Sequence, residues 1–264
     1  MSEPMRDGST TEDPRLGRLP LFDPRSRNYQ IRALLSNPAA NTRSQAGRYF
    51  IPGPTLNQGR EGQCVSEAIH DARNGSPVRT KPTITDYEER RRVYHALQHL
   101  DPFTGCYQGP KCQVEPSPTA AGGTAVLTGA LYGRERGWWD EFRWIGAGSD
   151  RLEDDLIQTF RTVGGIIFGI PWLETMYVTT PSGLVEVDGV ERGGHAIHGW
   201  EWAPRQRMRH HWTGTKPGVW WHNSWGPRYG IKRRGVSGCG FVPLDDLLGL
   251  LERDGEGMVP LCLS

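Results

Sequence analysis

The hydrophobic period of the chain changes at Gly164-Gly165, and this change limits the possible folds more than any other feature of the sequence. Between Cys64 and these glycines, apolar residues recur every three to four positions in several segments, which is the spacing of amphipathic helices. After them, short apolar or alternating runs follow one another, as strands do. Helices followed by strands predict an α+β protein in which a helical part packs against a β-sheet or barrel, with a cleft between the two parts.

Four helices are predicted in the first part of the chain. The first begins at Cys64, because apolar residues at positions 65, 68, 69 and 72 form one stripe and Asn74-Gly75 ends it. The second begins with a capping box formed by Thr85 and Glu88 and ends before Pro102. The other two helices are expected at residues 124–137 and 149–163.

The second part of the chain predicts short strands at residues 166–170, 176–179, 184–187, 195–202, 219–222 and 240–242. Residues 1–50 are rich in Pro, Arg, Ser, Asn and Asp without a sustained period, and are predicted to form an extended N-terminal arm with little core. Residues 51–264 are predicted to form one domain, helical at about 60–145 and β-rich at about 160–264.

The charge of the chain is nearly balanced. Its 31 basic and 30 acidic side chains give a net charge of +1, so no overall field favours nucleic acid or an anionic membrane as a partner. No run reaches the roughly 18 apolar residues of a membrane helix, and the polar N-terminus lacks the apolar stretch of a secretory signal. We therefore expect a cytoplasmic protein, or a virion-associated one if the gene belongs to a phage.

The five cysteines are an odd number spread unevenly along the chain, so at least one thiol is free. Cys106 and Cys112 lie in a long loop that follows the helix carrying His95 and His99. This pattern is a weak zinc signature. A disulfide between Cys106 and Cys112, or two free thiols, is favoured over a metal site. No metal and no cofactor are expected.

The segment from Asn57 to Cys64 carries the first element of a candidate active site. Cys64 starts a helix, where the first-turn amides and the helix dipole stabilise a thiolate and a backbone amide can bind an oxyanion. The side-chain amide of Gln58, shortly upstream, would supply the second oxyanion donor.

Two further segments supply a candidate base and a residue that orients it. Two glycines lead into a strand at His195, which is the candidate base, and a later strand ends at Asn223, whose amide can hold the imidazole ring. Trp225 would shield that hydrogen bond. His198 should face away from His195 on the same strand, which predicts a packed or surface residue and not a second base.

In the order Gln58, Cys64, His195 and Asn223, the sequence resembles the papain-like cysteine peptidases. His and Asn residues some 130–150 positions after the Cys are typical of that family. The resemblance implies a papain-like fold and hydrolysis of peptide or protein substrates by a Cys-His-Asn triad. It implies that Gln58 completes the oxyanion hole and that Trp225 covers the Asn223 amide.

Short bacterial and bacteriophage members of the family are the most similar, because they share a Gly-Thr helix start, here Gly123-Thr124, and an acidic-Gly tail, here at residues 254–256. The resemblance also implies that Gly122 and Gly123 pair with the substrate backbone. The chain departs from the family at Glu61, where a disulfide cysteine is usual, and at Val65, where a Trp is usual.

The segment ahead of Cys64 is shorter than the inhibitory propeptide of the family, and self-inhibition by residues 1–50 is a hypothesis. Two other functions stay open: a catalytically inactive papain-like interaction or virion module, and acyl transfer to an amine other than water. The presence of both Gln58 and Asn223 in the sequence favours the peptidase over these two functions. The sequence carries no signal for the oligomeric state.

Overall fold

The computed structural model describes residues 13–21, 29–35, 46–47, 52–78, 83–102, 122–146, 149–208 and 211–262. In these ranges the chain has an α+β fold, as the change of period predicts. The helices are α1 (Cys64–Asn74), α2 (Tyr87–Leu100), α3 (Val126–Glu135), α4 (Leu152–Thr162) and α5 (Leu244–Arg253). The strands are β1 (Glu141–Gly146), β2 (Ile166–Leu173), β3 (Glu191–Gln206), β4 (Lys216–His222), β5 (Ile231–Arg233), β6 (Val236–Pro243) and β7 (Glu256–Leu261).

The seven strands form one antiparallel sheet in the order β1-β7-β2-β3-β4-β6-β5. The longest strand, β3, is central and pairs with β2 on one side and β4 on the other. Its alternating side chains therefore reach both faces of the sheet. Ala196 joins the core on the face covered by α1, whereas Ile197 joins the core on the other face with residues of α4 and α5.

Helix α1 packs its apolar stripe against β3. Cys64, Val65, Ala68 and Ile69 lie in one buried cluster with Ala196, so the first turn of α1 is placed beside the start of β3. The stripe was predicted from the sequence, and the helix begins at Cys64 as expected.

Several local predictions were wrong. Asp86, not Thr85, caps α2, because its carboxylate accepts a hydrogen bond from the Glu89 amide at 2.8 Å. The strand predicted at 176–179 is absent, because residues 174–177 form a 3-10 helix, and the run at 184–187 makes one isolated bridge at Leu184. Strands β1, β5 and β7 and helix α5 were not predicted.

The N-terminal arm contributes more to the core than its composition predicts. Leu16 and Ile31 are buried in the largest apolar cluster, and Arg18 forms a parallel bridge with Thr124. The boundary proposed at residue 50 stays a prediction. Among the described residues, no helix is long and apolar enough to cross a membrane.

A buried charged cluster fastens α1 to the sheet. The Asp71 carboxylate, two turns after Cys64, accepts hydrogen bonds from Nδ1 of His198 on β3 and Nδ1 of His222 on β4, both at 2.8 Å. Nε2 of His222 also faces an acceptor, the Ser237 carbonyl, at 2.9 Å. Because both ring nitrogens of His222 face acceptors, both carry hydrogens and the ring is a cation. His198 is thus a packed residue, on the face away from His195.

The pKa values of this cluster follow from its charges. Burial alone would raise the pKa of Asp71, but the His222 charge and the two hydrogen bonds hold it well below its ordinary 3.8. Burial alone would lower the pKa of His222, and the Asp71 carboxylate instead raises it above its ordinary 6.5. The Asp71 contribution to stability is lost as pH falls through the lowered pKa, and the His222 contribution as pH rises through the raised one. Both are present between pH 3.8 and pH 6.5.

We predict that Asp71→Asn lowers the free energy of unfolding by about 3 kcal/mol near pH 5, because it leaves the His222 cation without its buried partner. The loss should shrink above pH 7, where His222 can release its proton. Urea unfolding at pH 5, 7 and 9 measures both effects. Glu252→Gln, at an exposed carboxylate of α5, is the matched control. A loss that is constant across this pH range would contradict the assigned charge of His222.

Candidate active site

The predicted nucleophile lies at the N-terminus of α1. Cys64 is the first residue of the helix and its side chain is fully buried. Burial raises the pKa of its thiol to about 11, while backbone hydrogen bonds from Ala196, Gly17 and Val65 act in the opposite direction. The contact with Ala196 places the sulfur beside the residue that follows His195.

The predicted base and its orienting residue are in direct contact. Nε2 of His195 lies 2.9 Å from Oδ1 of Asn223. The amide oxygen can only accept, so Nε2 carries the hydrogen and Nδ1 is left as the basic nitrogen. Among the described residues Nδ1 has no hydrogen-bond partner. Burial lowers the pKa of His195 to about 4, although the bond to Asn223 opposes this change.

Two tryptophans enclose the imidazole of His195. The ring centroid of Trp172 lies 4.6 Å from that of His195 in an edge-on arrangement, and that of Trp225 lies 4.9 Å away. They shield the bond to Asn223 from water, which strengthens it. Trp225 was expected in this place. Trp172 was missed, because only the pairing of β2 with β3 brings it to the site.

Gln58 is held by several hydrogen bonds. Its backbone amide donates to the Ser224 carbonyl at 2.8 Å, and its Oε1 accepts from the Ser224 hydroxyl at 2.7 Å. Nε2 of Gln63, the residue before Cys64, donates to the Gln58 carbonyl at 2.9 Å. Gln58 is therefore tied to the loop after Asn223 and to the start of α1. Ser224 was missed, although it directly follows Asn223 in the sequence.

Residues 15–19 of the N-terminal arm lie across these groups. Nε2 of Gln58 donates to the Arg15 carbonyl at 2.9 Å, as well as to the Glu61 carbonyl at 2.7 Å. The Arg15 guanidinium lies 3.9 Å from the ring centroid of Trp225. The backbone carbonyl of Arg15 thus accepts a hydrogen bond from the Gln58 side-chain amide, the group that was predicted to bind an oxyanion.

The expected substrate glycines contact the same segment. The Thr124 amide donates to the Gly17 carbonyl at 2.8 Å, and the Leu19 amide donates to the Thr124 carbonyl at 3.0 Å. A Cβ atom on Gly123, whose φ is +146°, would lie 2.3 Å from the Gly17 carbonyl oxygen. Gly62 lies between Gly17 and Gly122, since a Cβ on Gly62 would come within 2.9 Å of the Gly122 backbone.

With this segment in place, the side chains of Cys64 and His195 are fully buried. A thiol pKa of about 11 and an imidazole pKa of about 4 keep Cys64 and His195 neutral at pH 7. A neutral thiol is a poor nucleophile, so Cys64 is unreactive while the segment covers it.

The structure brings together Gln58, Cys64, His195, Asn223 and Trp225. Cys106 and Cys112, the candidate disulfide or zinc pair, lie outside the described residues. In the ranges that are described, which include His95 and His99, no group of His, Cys, Asp or Glu is arranged to hold a metal ion.

The sequence matches no protein-family model and no curated protein, so the comparison rests on solved structures. Xylellain, a cysteine protease from Xylella fastidiosa, is similar with a TM-score of 0.59 at 12% identity over 100% of both chains. The proform of Amb a 11, a cysteine protease and ragweed pollen allergen, is similar with a TM-score of 0.54 at 12% identity over 99% of this chain and 77% of that one. Recombinant stem bromelain precursor is similar with a TM-score of 0.50 at 12% identity over 97% of this chain and 80% of that one. At these identities the likeness establishes the fold: the chain has the papain-like α+β fold.

Proposed function

We propose that the chain is a cysteine peptidase whose nucleophile is Cys64. The observation that carries this proposal is the contact between Nε2 of Gln58 and the Arg15 carbonyl, which lies in a cleft formed by the start of α1 and the His195–Asn223 pair. The proposal is supported because Gln58, which holds a peptide carbonyl, is bonded to Ser224 next to Asn223 and, through Gln63, to the start of α1. The neighbouring protease structures share this fold and support the same class of activity.

In the first half of the reaction, Nδ1 of His195 takes the proton of the Cys64 thiol, and the thiolate attacks the carbonyl carbon of the substrate peptide. The resulting oxyanion is bound by Nε2 of Gln58 and by the backbone amide of Cys64 at the helix N-terminus. The His195 imidazolium then protonates the leaving amine, the C–N bond breaks, and a thioester remains on Cys64.

In the second half, Nδ1 of His195 removes a proton from water, which attacks the thioester and releases the carboxylic acid and the Cys64 thiol. Asn223 keeps the ring in one tautomer throughout by accepting from Nε2. Trp172 and Trp225 exclude water from that hydrogen bond.

An inactive interaction or virion module is the alternative. Such a module needs a stable fold and an exposed surface, but it has no need of a Gln58 amide fixed by Ser224 and aimed at a peptide carbonyl. The satisfied and directed contacts of Gln58 therefore favour the peptidase over the module and support hydrolysis by a triad.

We predict that Cys64→Ala and His195→Ala each lower kcat/KM for peptide hydrolysis on the order of 10⁴-fold or more, since both act in the same proton and acyl transfers. Steady-state kinetics with a fluorogenic peptide library measures this loss. Circular dichroism should show both variants folded. Turnover at the wild-type rate in Cys64→Ala would refute the assignment.

Gln58→Ala should lower kcat about 10²-fold, because it removes one oxyanion donor. Asn223→Ala should lower kcat less than either variant of the Cys-His pair, because Asn223 only orients the ring. If Gln58→Ala changed KM alone, Gln58 would serve substrate binding and not the oxyanion.

The arm must leave the cleft before a substrate can enter, because residues 15–19 fill it. Gly17→Ala should favour this release, since a Cβ atom there would lie 1.9 Å from the Gly62 carbonyl oxygen. We predict that this variant reacts several-fold faster than wild type with chloroacetamide at Cys64, as measured by intact mass and peptide mapping. Gly249→Ala, whose Cβ would meet nothing within 4 Å, is the control and should react as wild type does. Equal rates in all three proteins would show that the arm does not restrict access.

A further inference from the structure

The Arg18 side chain, on the segment that fills the cleft, enters a pocket that ends in a buried carboxylate. Its Nε and Nη2 atoms lie 3.2 and 3.0 Å from Oε1 of Glu256, and Nη2 also donates to the Asp254 carbonyl at 2.6 Å. The side chains are 2% and 9% exposed, so the ion pair lies out of solvent.

A glycine beside the carboxylate, Gly169, leaves room for the Arg18 side chain. Glu256 pairs with Gly146 on β1 and with Gly169 on β2. A Cβ atom on Gly169 would lie 3.0 Å from Nε of Arg18 and 2.8 Å from Cγ2 of Val126. Any larger residue at position 169 would close the space that the Arg18 side chain occupies.

The pocket opens beside the reacting groups. The Arg18 backbone amide donates to the carbonyl of Gly194, the residue before His195, at 3.0 Å. Arg18 also bridges Thr124, next to the glycines expected to bind the substrate backbone. Gln58 holds the carbonyl of Arg15, three residues before Arg18. A substrate residue in the position of Arg18 would therefore lie close in sequence to the carbonyl that Gln58 binds.

We propose that this pocket selects a basic side chain, preferably arginine, in the peptide substrate, and that Glu256 determines this specificity. The inference rests on the peptidase function proposed above. When the arm leaves the cleft, Arg18 leaves with it and the Glu256 carboxylate loses its cation. A buried charge without a partner is costly, and a guanidinium restores both the charge pair and the forked hydrogen bonds.

An apolar substrate side chain in this pocket would leave the buried Glu256 carboxylate without a cation. The pocket therefore also rejects substrates that carry apolar side chains at this position. Burial already raises the pKa of Glu256, and the Arg18 charge is what opposes this shift. Lysine is a weaker fit than arginine, because its ammonium lacks the planar fork through which Nε and Nη2 of Arg18 both contact the carboxylate.

The first test compares peptides that carry arginine or citrulline, its neutral isostere, at each of the three positions before the cleaved bond. Wild type should favour arginine at one of these positions by roughly 10²-fold in kcat/KM. Glu256→Gln should reduce that ratio to near one, because arginine then gains no charge pair and citrulline no longer leaves a carboxylate unpaired. An arginine preference that is absent from wild type, or that survives in Glu256→Gln, would overturn the proposal.

A second test measures binding without catalysis, in the full chain. In Arg18→Ala, millimolar N-acetyl-arginine amide should raise Tm by several degrees, whereas N-acetyl-citrulline amide should not. The arginine effect should vanish in the double variant with Glu256→Gln. Equal shifts with both compounds, or a shift that survives in the double variant, would contradict a guanidinium pocket.

The two tests separate this inference from the proposed function. If no peptide is cleaved by wild type or by Gly17→Ala, the peptidase function fails, and the Tm shift alone decides the pocket. If peptides are cleaved through Cys64 with equal rates for arginine and citrulline, the function stands and the specificity fails.

Discussion

The packing of α1 against β3 is the interaction on which the site depends. It sets the start of the helix, with Cys64, beside the residues that follow His195, and it buries both side chains. The Asp71 carboxylate fixes the same contact two turns further along the helix, through His198 on β3 and His222 on β4. Since Asn223 directly follows His222, the one Asp71 carboxylate holds the helix against both strands that carry the site, through two hydrogen bonds.

Local patterns were sufficient to predict the elements that bear the candidate residues. The stripe of Val65, Ala68, Ile69 and Ala72 located α1 and placed Cys64 at its first residue, because helical period and helix start depend on neighbouring residues alone. The resemblance to papain-like peptidases, carried by short motifs, implied the fold that the neighbouring structures share.

Long-range pairing was beyond the sequence. The short strand β7 is defined by its partners β1 and β2, and Trp172 reaches His195 only through the β2–β3 register. Residues 15–19 have no helical or strand period, and their conformation comes from contacts with Gly62, Thr124 and Gly194. A polar arm that binds a glycine-lined cleft cannot be distinguished from a solvated one by composition.

The position of the N-terminal arm accounts for the shifted pKa values of Cys64 and His195. By covering Cys64 and His195 it removes water, and the loss of water favours the neutral thiol and the neutral imidazole. The same segment places a carbonyl on Gln58 and a guanidinium on Glu256, so it occupies the groups that we propose bind a peptide substrate.

The central claim is that Cys64 forms a thioester with the acyl part of a peptide, and trapping this intermediate tests it most directly. Acid quenching of a turnover reaction within milliseconds, followed by peptide mapping, should find the acyl mass on Cys64. Hydrolysis without any acyl adduct, or an adduct on another residue, would contradict the account.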